Sequence, residues 1–240
     1  MMTQITVQQA PWVSEILAKD DFIGMRIASA LRCYGFASKV CRFYAVNSSA
    51  VLMTLGDGAL LCGDAPDVEE LESFLRFANL RTLQANKTML YHWNPVPRLL
   101  MRHTGAAEIL CSAPVEMQPD LWALAHSGLF ENLSPDAWYA DTCLRVNHGE
   151  AAVFAIIKEG APVASAGLYA IGEKSAYLTA VATKKEQRGN GYASTLVSTL
   201  CAMQQNRTIY LLCAPPLRKF YEQLGFTLAL PLCEFEILEK

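Results

Sequence analysis

The sequence has no uninterrupted apolar run approaching the ~18 residues that a membrane helix needs, although hydrophobic residues fill 52% of its 240 positions and charged residues only 18%. That balance excludes a disordered chain and supports a large core. Basic residues are not in excess. The formal charge of −3 argues against a nucleic-acid-binding surface, which shows as a basic stripe. Paired cysteines are missing too. The eight cysteines (Cys33, Cys41, Cys62, Cys111, Cys143, Cys201, Cys213 and Cys233) are scattered, with no CxxC pair and no zinc-like Cys/His spacing. They read as reduced, mostly buried thiols. The opening MMTQITVQQAPWVSEILAKDD lacks a charged segment followed by an apolar one, so no secretory signal is expected. The expectation is a soluble cytoplasmic protein with no nucleic-acid, membrane or metal partner.

Along the chain, Ile16, Leu17, Phe22, Ile23, Met25, Ile27, Ala28 and Leu31 recur at helical spacing, with Gly35 as the stop. Short strands are expected at 43–46, 51–55 and 59–62. Pro66 then opens an acidic helix through about Ala78. Weaker strand patterns follow at 80–83, 89–93 and 99–103. The Pro-punctuated CSAPVEMQPD suits a junction, so an N-terminal α+β domain is expected at 1–112 and a second domain at 113–240. Helices are expected at 121–130 and 135–146, the latter with Ser134 as cap. Strands follow at 151–157, 162–170 and 177–183. FYAVNSSAVLMTLGDGALLCG loosely echoes VFAIIKEGAPVASAGLYAIGE, and both a degenerate repeat and two unrelated α+β domains satisfy that echo.

The chemistry concentrates in YLTAVATKKEQRGNGYASTLVSTLCAMQQ. An apolar strand ends near Thr183 and a helix begins near Gly191, with Arg188-Gly189-Asn190-Gly191-Tyr192-Ala193 between them. The glycines let the backbone turn sharply and present several N–H groups together, and the helix start adds its positive end. Such a loop receives a phosphate or pyrophosphate. Arg188, Lys184 and Lys185 add local positive charge. The competing reading is an ordinary glycine-containing loop. Other phosphate loops fit worse, because the Gly-Lys-Ser/Thr of a Walker loop is absent and the third glycine of G-x-G-x-x-G is replaced by Ser194.

Arg-x-x-Gly-x-Ala at 188–193, after Val181-Ala182-Thr183, resembles the acetyl-CoA signature of the GCN5-related N-acetyltransferases (GNAT). A second stretch strengthens the likeness: the strand 209–213 leads through Pro215-Pro216 into FYEQLGF at 220–226, where family members place a tyrosine followed by Gly-Phe. The resemblance covers roughly 120–240. It implies a mixed α/β (α+β) fold with a central, mostly antiparallel mixed sheet flanked by helices. It also implies acetyl-CoA as cosubstrate and transfer of acetyl to an amine. Carried over by position, Val181, Ala182 and Thr183 face the pantetheine arm and polarise the thioester. Arg188, Gly189, Asn190, Gly191, Tyr192, Ala193 and Ser194 hold the pyrophosphate, and Tyr221 protonates the departing thiolate. Tyr221 also reads as a core or adenine-packing aromatic.

The pattern departs from the family in two places. An asparagine common after the strand ending at Cys213 is replaced by Ala214-Pro215-Pro216. The general base is also not evident. Tyr177 and Thr179 are poor bases, Glu173 on the preceding turn is the first candidate, and His148 reads better as a surface or capping residue. Glu234 and Glu236, on the final strand, could reach the cleft, but charges at a period of two usually mark a solvated face. Cys213, lacking a basic neighbour in sequence, reads as a buried strand cysteine, which leaves direct attack by the amine. The acceptor expected is a small-molecule or peptide amine. The N-terminal half, lacking a counterpart of RGNGYA, would shape the acceptor pocket or mediate a homodimer. A non-catalytic acyl-CoA-binding sensor or interaction protein is the alternative function, and an aminoacyl-tRNA-dependent transferase is disfavoured by the acidic balance.

Overall fold

The chain opens with a short strand, β1 (Met2–Gln4), and two helices, α1 (Ala10–Leu17) and α2 (Ile23–Tyr34). The computed structural model describes residues 2–65, 67–86, 90–130, 133–229 and 232–237. Apolar spacing alone predicts one helical stretch here, and Asp20 makes the break. Its Oδ1 accepts hydrogen bonds from the N–H groups of Phe22 at 2.9 Å and Ile23 at 2.7 Å, so a new helix starts there. Gly35 ends α2 with φ +67°, donating its N–H to the carbonyl of Leu31.

The strands β2 (Cys41–Val46), β3 (Ala50–Leu55) and β4 (Gly58–Gly63) form an antiparallel meander. Helix α3 (Val68–Phe77) crosses to β5 (Thr82–Ala85), which pairs parallel to β4, as a parallel pair requires a crossover. Asp67 caps α3 by accepting from Glu70 N–H, while Pro66, expected in its first turn, lies outside the described residues. So does Met89, expected to start a strand; β6 (Trp93–Val96) follows it. The last strand, β13 (Cys233–Ile237), inserts between β5 and β6. The sheet order is β1-β2-β3-β4-β5-β13-β6. Its core holds Leu52, Leu61, Leu71, Leu75, Leu83, Trp93 and Phe235.

The second sheet takes β7 (Leu99–His103) from the end of the first half. Helix α4 (Leu121–Ala125), capped by Asp120, is shorter than the 121–130 expected. In α5 (Pro135–Asn147) Ser134 holds the cap position without a side-chain capping bond. A meander of β8 (Ala152–Lys158), β9 (Ala161–Ile171) and β10 (Ser175–Thr183) follows. Helix α6 (Tyr192–Met203) crosses to β11 (Thr208–Cys213), parallel to β10. Helix α7 (Arg218–Gln223) and the two-residue β12 (Thr227–Leu228) complete the unit. The order is β12-β7-β11-β10-β9-β8. A two-way bridge between Glu116 and Ala155 occupies the edge position that β1 has in the first sheet.

The chain thus forms two compact units, Met1–Leu100 with Cys213–Pro216 and Ala229–Lys240, and Met101–Leu212 with Leu217–Leu228. Matched element by element, the two sheets have one strand order, and in each the strand beside the parallel pair comes from the other half of the chain. A cut at 112/113 leaves β13 with the second half and β7 with the first. No helix of the described residues is long and apolar enough to cross a membrane.

Candidate functional site

The parallel pairing of β10 with β11 runs Ser175–Leu178 against Thr208–Leu211 and ends there, while β10 continues to Thr183 and β11 to Cys213. On its other side β10 stays paired to β9, but with a bulge. Thr179 lies opposite Gly167 and Ala182 opposite Ser165, so one extra residue is inserted. Ala180 takes it up at φ +53°, an uncommon conformation for a residue with a Cβ. Beyond Leu178 the edge of β10 that faced β11 therefore carries backbone donors and acceptors without a strand partner, a surface suited to an extended amide-bearing ligand.

That edge leads into the glycine loop. A helical turn at Lys185–Gln187 brings the chain to Arg188, whose Nε donates back to the carbonyl of Thr183 at 3.3 Å. Asn190 donates its side-chain amide to the carbonyl of Gln187 at 3.0 Å. Gly189 and Gly191 have φ of +81° and +75°, and the left-handed Gly191 is the N-cap of α6. The first hydrogen bond of the helix runs from Thr195 N–H to the Gly191 carbonyl. Among the described residues nothing accepts from the backbone N–H groups of Gly189, Asn190, Gly191, Tyr192, Ala193 or Ser194. Gly189–Gly191 are exposed. Six orphan donors at the positive end of a twelve-residue helix make an anion receptor.

The family model described as Acetyltransferase (GNAT) family matches residues 116–226, a span that starts at the Glu116 bridge and contains both the bulged strand and the loop. Residues 116–226 are a GNAT domain. Solved structures with the same fold include a GNAT-family acetyltransferase from Colwellia psychrerythraea, at 15% identity and TM-score 0.60 over 99% of this chain and 100% of that one. A GCN5-related N-acetyltransferase from Kribbella flavida matches at 14% and 0.62, covering 90% and 96%. A tandem GNAT protein from the clavulanic acid biosynthesis pathway matches at 13% and 0.62, covering 98% and 97%. These likenesses span both halves of the chain, so the fold extends to the N-terminal unit, in line with its matching strand order. No curated protein sequence matches the chain.

Around the loop of the GNAT domain, Arg188 and Lys185 are exposed and Lys184 half-buried. Lys158, at the end of β8, places its Nζ 5.7 Å from the centre of the buried Tyr192 ring. Lys158 was not legible in sequence, because only the β8–β9–β10 meander carries it to a loop some thirty residues on. The corresponding helix of the N-terminal unit is built in the opposite sense. The start of α3 is filled by Asp67, Glu69 and Glu70, with Asp67 already occupying an N–H group, so that unit has no anion receptor there.

The remaining expected residues lie on other elements. Tyr221 lies on α7 with 6% exposure, its ring 4.9 Å from Phe220 and 5.7 Å from Phe226. Glu173 is exposed on the β9–β10 turn, at the end of β10 that pairs with the start of β11. Eight residues at ~3.3 Å each put it roughly 25 Å along the strand from Val181. The structure therefore gathers Val181 to Ser194 and leaves Glu173 at the opposite end. His148 is exposed in the cap position of α5. Cys213 is 4% exposed, and burial raises its thiol above the ordinary value, with Arg98 pulling weakly the other way; it is a neutral core thiol. The solvated-face reading of β13 fails for Glu234. That residue is buried in the N-terminal unit, held by Arg98 Nε at 3.1 Å and Gln84 Nε2 at 2.7 Å, whereas Glu236 is exposed.

Proposed function

We propose that the GNAT domain is an acyl-CoA-dependent N-acyltransferase that moves acetyl from acetyl-CoA to an amine. The observation that carries this reading is the run of six orphan N–H groups at the start of α6, set directly after a bulged strand whose outer edge is unpaired. In this reading the diphosphate of CoA lies on Gly189–Ser194 beside Arg188, and the amides of the pantetheine arm pair with the free edge of β10 beyond Leu178. Such strand addition orients the thioester at the bulge, where backbone donors near Val181 stabilise the oxyanion. Arg188 donates to the Thr183 carbonyl, which ties the cradle to the end of the strand.

The amine attacks the thioester carbonyl directly. The new C–N bond forms, the C–S bond breaks, the neutral amine gives up one proton to solvent, and the thiolate takes a proton from Tyr221, which regains one from solvent. Cys213 is not a nucleophile here, because a raised thiol pKa leaves too little thiolate.

The test is acetyl-CoA-dependent release of free thiol across a panel of amines, amino acids, polyamines and peptide N-termini, run beside calorimetry with CoA. Turnover on any acceptor supports the transferase. Tight CoA binding without turnover moves the domain to an acyl-CoA sensor, and absence of CoA binding removes the reading.

A further inference from the structure

One segment outside the family match reaches the cradle. Residues 110–112 run beside α6 and are fixed to it at two points. Leu110 N–H donates to Ser198 Oγ at 2.9 Å, and Ser112 N–H donates to Thr195 Oγ1 at 3.0 Å. The two hydroxyls of Ser112 and Thr195 also meet, at 2.8 Å. A Cβ placed on Gly191 would lie 3.3 Å from Ser112 Oγ, so this hydroxyl stands at the N-cap of α6, against the residue whose own N–H is an orphan donor.

Donor counting favours one direction for the Ser112–Thr195 bond, in which either hydroxyl has the geometry to donate. A hydroxyl has one proton and two lone pairs. Thr195 is 1% exposed, and its Oγ1 already accepts from Ser112 N–H. If Ser112 gave its proton to Thr195, the Thr195 proton would be buried with no acceptor among the described residues, an unmade hydrogen bond that folding disfavours. The favoured arrangement has Thr195 donating to Ser112 Oγ. Ser112 is exposed, and its proton is then left over at the mouth of the loop.

We infer that Ser112 is a further ligand of the CoA diphosphate, donating its hydroxyl proton to a phosphoryl oxygen held by the N–H groups of the loop. The inference rests on the acyl-CoA reading above and adds to it a residue from a segment the family motif does not include. The contribution is that of a charge-assisted hydrogen bond at an exposed site.

Calorimetry with CoA on the full chain, comparing wild type, Ser112→Ala and Ser112→Thr, tests it. Ser112→Ala should weaken CoA binding about tenfold, and Ser112→Thr, which keeps a hydroxyl, should restore it to within about twofold. Pantetheine, which lacks the diphosphate, is titrated into the same three proteins by ligand-observed NMR and should bind all alike. An Ala variant that binds CoA as tightly as wild type overturns the assignment while leaving the acyl-CoA reading standing. Equal losses for CoA and pantetheine also overturn it, because they mark Ser112 as a support for α6 rather than a phosphate ligand. A wild type that binds no CoA overturns both readings together.

Discussion

A Phe in place of Tyr221 keeps the ring that packs against Phe220 and Phe226 and removes only the hydroxyl, so it separates the two roles open to this residue. If Tyr221 is the acid, Tyr221→Phe lowers kcat by roughly 10²-fold, the usual scale of a lost general acid, with CoA affinity unchanged. A purely packing role predicts unaltered turnover. His103 carries a second prediction. It is 5% exposed on β7, with its ring 5.3 Å from Phe226 and against Gly225, and burial lowers its pKa below 6.5. The folded state therefore favours neutral imidazole, so its contribution is fully present above pH 6.5 and is lost as pH falls through the lower folded value. Melting curves from pH 7.5 to 5.5 should show wild type losing more stability than His103→Gln, and parallel curves would show that His103 does not titrate on unfolding.

At the scale of elements, strand β10 decides which residues can act together, because one end is tied into a parallel pair and the other is open. Glu173 sits at the tied end, and Glu173→Gln should leave kcat and KM within about twofold of wild type. A loss of tenfold or more would require acceptor chemistry at that end of the strand. The glycine loop was legible in sequence because the property that makes it a receptor, two left-handed residues before an apolar helix, is local. The β2–β4 and β8–β10 meanders were legible for the same reason, through alternation and turn residues. The base was not, since Glu173 is near the motif in number while eight strand residues set it far away in space. Glu234 was misread because a period of two reports that alternate residues share a face but not whether that face is buried. Here Arg98 and Gln84, distant in sequence, satisfy the carboxylate. Ser112 and Lys158 left no signal at all, being brought to α6 by tertiary structure alone.

For the whole molecule, the strand order shared by the two sheets gives the loose sequence echo a physical form, and the crossing of β7 and β13 explains why no simple boundary divides the chain. Strand β13 is internal to the first sheet, with Cys233–Glu236 paired to β5 and Glu234–Ile237 to β6. It contributes Phe235, 3% exposed, and Glu234 to that core. A fragment of 1–112 loses all of this. It exposes the edges of β5 and β6 and strands Arg98 and Gln84 without their carboxylate, costs that together approach the whole stability of a domain this size. A fragment of 113–240 loses β7, the neighbour of both β11 and β12, and ends in a strand without a sheet, whose unpaired edges are an aggregation hazard. Residues 101–228, by contrast, keep Met101–His103 for β12 to pair with, and keep the bulged strand, the loop and the Ser112 segment. Of these three fragments, only 101–228 should give a cooperative melt and bind CoA. If 113–240 folds and binds equally well, then β7 adds nothing to the second sheet and the exchange of strands is not what holds each unit together.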